Sequence, residues 1–107
     1  MAAPKIQSLK RFYFEGAVPT TTGDISASKT IRAKMIRFRN STTGDVDVTL
    51  SDKQGTAVDF YKTTTIKAKS VSNEVFPDGF ELLFLSGMTH IATATGVHVV
   101  VGGFESP

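Results

Sequence analysis

With 107 residues the chain has room for one domain whose core buries about two-thirds of the unfolded surface. It contains no cysteine, which excludes disulfides, thiolate metal sites and a cysteine nucleophile, so packing and strand pairing must hold it together. The net charge of +2 conceals an asymmetry: residues 1–39 carry eight Lys or Arg against Glu15 and Asp24, whereas residues 40–107 carry four against eight acids. Such a division produces a basic face for an acidic partner or nucleic acid, or head-to-tail complementarity between copies, unless folding interleaves the halves and mixes the charges.

The amino terminus, Met1 to Arg11, has charges but no apolar signal core, and no stretch approaches a membrane span, so a soluble, unsecreted product is expected. Ile6 to Phe14 reads as a first strand ending in Phe12-Tyr13-Phe14. Ala17 to Lys29 is a long Thr/Ser/Gly connection that is either a functional excursion or the cover of a short edge strand near Asp24–Ser28. Thr30 to Arg39 is the next strand. Its apolar positions change parity between Met35 and Ile36, which requires a bulge or an edge placement, and Ile36 and Phe38 are expected inside. Asn40 to Gly44 is a turn, and Asp45 to Ser51 alternates cleanly, with Val46, Val48 and Leu50 inward.

Asp52 to Gly55 closes a hairpin onto Thr56–Thr63, where Val58 and Phe60 face the core. Thr65 to Ser70 alternates Ile66 and Ala68 with Lys67 and Lys69, a lysine pattern suited to an edge. Val71 to Phe76 leads into the Pro77-Asp78-Gly79 turn. Three apolar runs follow, Phe80–Ser86, Met88–Thr95 and Val97–Val101, separated by Gly87 and Gly96, and these are expected to be consecutive strands at the heart of the fold. The whole reads as an all-β, single-domain antiparallel β-sandwich of about eight strands over residues 1–107. Jelly-roll and immunoglobulin-like strand orders stay open, with residues 1–14 as an amino-terminal arm or the first strand.

Nothing in the chain nominates catalysis, a cofactor or a metal. His90 and His98 would come into register if the segments flanking Gly96 paired, but no third ligand has a matching spacing. Of Asp45, Asp47 and Asp52, the first two alternate outward from a strand and do not wrap a loop as calcium ligands do, and the EF-hand pattern is absent. There is no phosphate-binding glycine loop and no nucleophile elbow. Arg37 and Arg39 flank Phe38 in a basic strand, yet parity buries the aromatic that a nucleic-acid platform would need, so nucleic acid is disfavoured.

The run Asn40–Thr56, then Lys67-Ala-Lys-Ser-Val-Ser, Phe76-Pro-Asp-Gly, Leu83-Phe-Leu-Ser-Gly-Met and Gly96-Val-His-Val-Val-Val-Gly-Gly-Phe-Glu resembles small β-sandwich structural proteins of tailed bacteriophage virions. The resemblance covers residues 30–105. It implies a non-catalytic virion component, a multicopy capsid decoration or head-, neck- or tail-associated subunit, assembled in the host cytoplasm and contacting other virion proteins and its own copies. The candidate partner-binding residues are Lys5, Lys10, Arg11, Phe12 and Tyr13 of the amino-terminal segment, together with Arg37 and Arg39. The alternative is a carbohydrate-binding module using Tyr13 and Tyr61, although tryptophan, the favoured sugar platform, is absent.

Overall fold

The computed structural model describes residues 10–53, 63–75 and 81–106, which form nine strands and no helix. The strands are β1 (Lys10–Ala17), β2 (Gly23–Ser26), β3 (Thr30–Asn40), β4 (Val46–Asp52), β5 (Thr64–Ile66), β6 (Val71–Val75), β7 (Leu82–Phe84), β8 (Met88–Ala92) and β9 (Val97–Ser106). A front sheet runs in the order β1-β9-β3-β6, with β7 also paired to β3, and a back sheet runs β2-β8-β4-β5; every pairing within them is antiparallel. The pairs β1·β9, β2·β8, β3·β6 and β4·β5 are nested, as if one long hairpin had been rolled up. That nesting is the jelly-roll order, and it decides against the immunoglobulin-like alternative.

The rolling follows from where the apolar parity lies. Ile36 and Phe38 of β3, Val46, Val48 and Leu50 of β4, and Val97, Val99 and Val101 of β9 are all essentially inaccessible to solvent. Ile66, Leu82, Phe84 and Met88 complete the core between the sheets. Each such side chain contributes about 1.5–3 kcal/mol by leaving water, which offsets the ordering of the short connections. The change of parity in β3 is resolved by a shift of register against β9 between Ala33 and Met35. The extra residue lets Ile31 and Ala33 face inward before the shift and Ile36 and Phe38 face inward after it.

Gly103 lies at this shift because the backbone of β3 comes too near for a side chain: a Cβ there would collide with the Arg32 carbonyl oxygen. At the far end of β3, Asn40 carries the chain from the front sheet to the back. Its buried amide donates to the carbonyls of Gly44 at 2.8 Å and Ile66 at 3.0 Å, and its side-chain oxygen accepts from the Thr42 N–H at 2.9 Å and the Thr42 hydroxyl at 2.7 Å.

Several expectations are corrected. The segments flanking Gly96 are not a hairpin, since β8 belongs to the back sheet and β9 to the front, so His90 and His98 do not come into register. Both β8 and β9 are interior strands, as expected, but β7 lies on the outer side of β3 with Leu83 exposed. The expected antiparallel sandwich of about eight strands is present as nine strands among the described residues: the long connection after β1 holds the edge strand β2, and Val71–Val75, expected only to lead into a turn, is the strand β6. The strand predicted over Thr65–Ser70 ends at Ile66, and the chain turns at Lys69, whose φ is +57°. The predicted pairing through residues 56–62, with Val58, Phe60 and Tyr61, lies outside the described residues, as do the Pro77-Asp78-Gly79 turn and the start of the first strand at Ile6.

Candidate interaction surface

Antiparallel partners point to the same side of a sheet, so the registers lay out the solvent face of the front sheet as four rows. Across β1, β9, β3 and the β6–β7 side they read Ala17–His98–Arg39–Val71, then Glu15–Val100–Arg37–Asn73, then Tyr13–Gly102–Met35–Val75, and last Arg11–Phe104–Arg32–Leu83. The face therefore has a charged end and an apolar end. Among the described residues, the exposed large hydrophobic side chains are Tyr13, Val71, Val75, Leu83, Leu85 and Phe104, and five of the six occupy this face, with Leu85 just beyond β7. Tyr13 and Val75, each 65% exposed, bracket the third row.

At the charged end, Glu15, Arg37, Arg39, His98 and Val100 line a shallow concavity of about 220 Å³. Glu15 accepts from the Tyr13 hydroxyl at 3.2 Å and lies 3.8 Å from Nε2 of His98. Partial desolvation and the neighbouring Glu15 carboxylate raise the pKa of the Tyr13 phenol. Arg32 forms an ion pair with Glu81. Arg11, Arg37 and Arg39 make no side-chain hydrogen bond or ion pair among the described residues, so three guanidinium groups are held ready on one surface.

The structure thus brings Arg11, Tyr13, Arg37 and Arg39 together on one face, although they come from strands distant in sequence. Phe12 has the opposite parity and packs against the core beside Phe14. Lys10 shares that parity but lies at the end of β1 opposite Glu105, where it is exposed. Lys5 and Tyr61 are outside the described residues. Sequence reasoning missed Val75, Leu83, Leu85 and Phe104; an apolar residue on the polar parity of a strand was the available signal, but β6 and β7 were too short to establish parity.

The solvent face of the back sheet is different in kind. Its rows carry Asp24–Thr89–Ser51, Ile91–Thr49 and Asp47–Thr65, a threonine-rich surface with no exposed large hydrophobic among the described residues. Asp24 pairs with Lys53 at 2.7 Å and Asp45 with Lys67 at 3.3 Å, while the Asp47 carboxylate accepts the Thr65 hydroxyl at 2.6 Å. The Ala68 N–H and the Lys67 ammonium hold the Asp45 carboxyl below its ordinary pKa. Among the described residues no three His, Cys, Asp or Glu side chains are grouped to hold a metal ion, and no helix is long and apolar enough to cross a membrane.

No family model matches the sequence, and no curated protein is significantly similar to it. The structure is similar to that of a Bacillus endospore appendage protein from a novel family of disulfide-linked pili, with a TM-score of 0.52 and 13% identity, covering 99% of this chain and 96% of that one. A weaker likeness, with a TM-score of 0.45 and 8% identity, links 99% of this chain to 84% of a chain in the virus-like particle of the Macrobrachium rosenbergii extra small virus. At such identities the first likeness establishes a shared fold and the second carries no argument.

Proposed function

We propose that this protein is a non-catalytic structural subunit of a multicopy particle or filament, and that the solvent face of the front sheet is its assembly surface. The observation that carries this reading is the confinement of the exposed large hydrophobics, among the described residues, to one sheet and its border, beside the three arginines held ready there. A contiguous exposed apolar patch rimmed by polar groups marks a protein contact, because water is expelled from it on association. Four strands about 4.8 Å apart and four rows about 6.8 Å apart give a footprint of roughly 500 Å² per copy, or about 1,000 Å² for two copies, the lower threshold for a specific contact.

Within this class the sequence resemblance favours a capsid decoration or head-, neck- or tail-associated subunit of a tailed phage, working in the virion. The jelly-roll likeness to a pilus protein is compatible with a filament subunit as well. Any such filament would differ from disulfide-linked pili in one respect, since these 107 residues contain no cysteine and can form no disulfide.

The test is the solution mass of the purified chain by light scattering over a wide concentration range, with electron microscopy of the concentrated sample. The expected result is mass that grows with concentration for the native chain and monomer mass for Val75→Lys/Leu83→Lys at an unchanged melting temperature. A double variant that assembles like the native chain overturns this face as the assembly surface, and a native chain that stays monomeric throughout overturns self-assembly and leaves a subunit that docks onto a preformed particle.

A further inference from the structure

The assembly surface needs a partner, and the other side of the same sandwich has charge complementary to its arginines. On the front face Arg11, Arg37 and Arg39 have no partner among the described residues, and Glu15 is the acid among them. On the back face, among the described residues, Lys53 and Lys67 near the rows are already committed to Asp24 and Asp45. Asp47 meets a neutral hydroxyl and no cation among the described residues. Beside it, Asp47, Thr49, Ile91 and Thr93 help to line an open concavity of about 470 Å³, with apolar carbon from Ile91 and Ala92 and hydroxyls around it. An arginine fits such a site in both parts: its methylene stem covers the apolar carbon while its planar fork meets a carboxylate and hydroxyl oxygens.

From this we infer that the front face of one copy seats on the back face of the next, head to tail, with Arg37 and Arg39 directed at the Asp47 concavity. The inference rests on the reading of the protein as a self-assembling subunit and adds the identity of the contacting surfaces. A two-fold pairing of front faces is the competing arrangement. It would lay Arg37 and Arg39 over their own copies, or over the apolar end where Arg11 lies, and like charges in a desolvating contact oppose association. A head-to-tail contact does not close on itself unless the rotation brings the chain of copies round. The product is therefore an open filament or a ring, not a dimer.

Two charge-reversed variants test this. Arg37→Glu/Arg39→Glu makes the front face acidic like the back, and Asp47→Lys/Thr49→Lys makes the back face basic like the front. Each alone is expected to remain monomeric under conditions where the native chain assembles, with melting curves confirming that both are folded. An equimolar mixture should recover assembly, because every contact in an alternating array again joins opposite charges. The single variants Arg37→Glu and Asp47→Lys, mixed in the same way, serve if a double variant does not fold.

Assembly of both variants alone at the native level overturns the head-to-tail contact while leaving the structural reading intact. So does loss of assembly in the arginine variant with none in the aspartate variant, which would mean that the front face meets a surface other than this one. A native chain that is monomeric at every concentration overturns the head-to-tail contact together with self-assembly.

Discussion

His90 of β8 and Phe14 of β1 meet edge to face across the space between the sheets, with ring centroids 5.7 Å apart and planes at 84°. His90 is 3% exposed, and its Nδ1 has no hydrogen-bond partner among the described residues. Burial lowers its pKa, and the Asp24 carboxylate of β2 opposes that shift only in part. Phe14 on β1 and Leu50, its neighbour on β4, offer no charge. The unfolded chain therefore takes up a proton near pH 6.5 while the folded chain does not, and stability falls as the pH drops below that value.

The expected slope is at most about 1.4 kcal/mol per pH unit between about pH 6.5 and the lower folded value. Replacement His90→Phe should flatten it, as read from melting temperatures at about pH 7.5 and about pH 5, on either side of the ordinary histidine range. Asp45 acts in a separate window: its lowered pKa contributes stability that is present above about pH 4 and lost as the pH falls further. An equal slope in the native chain and the variant would show that another group dominates.

Asn40→Ala should cost about 2–3 kcal/mol, because it leaves the Ile66 and Gly44 carbonyls and the Thr42 N–H without their buried partner and frees the corner between the sheets. Urea titration measures the loss. A cost below about 0.5 kcal/mol would mean that water replaces the amide at no penalty.

Gly103→Ala should destabilise by about 3 kcal/mol, the upper end of the ordinary range, since its Cβ meets the rigid backbone of β3 and not a movable side chain. Gly87, with φ of +100° and a would-be Cβ 2.6 Å from the Ser26 carbonyl oxygen, should respond to alanine in the same direction. Thermal melts of the two variants check both values. Gly44 is the control, because nothing lies within 4 Å of its would-be Cβ.

Glu81→Gln should change stability by less than about 1 kcal/mol, although it breaks the Arg32 ion pair. Both side chains are about one-third exposed, and solvent screens the pair. Phe38→Ala, by contrast, should cost about 3–5 kcal/mol, because a fully buried ring is removed from the core. Denaturant midpoints of the two variants should therefore separate widely.

The alternation at Val46, Val48 and Leu50 determined from sequence alone that this strand is half-buried, and the parity change between Met35 and Ile36 called for either a bulge or an edge placement, because side-chain direction repeats every two residues; the register against β9 decided for the bulge. Turn glycines such as Gly87 and Gly96 were equally legible, since a positive φ is a local requirement. Which strands neighbour one another was decided only by the tertiary structure: β8 and β9 look like a hairpin in sequence, yet the chain crosses between sheets at Gly96. The same limit applies to the interaction surface. Tyr13, Val75 and Phe104 become neighbours only when β1, β9, β3 and β6 align, and pairing between strands so far apart in the chain leaves no trace in the local pattern of any one of them.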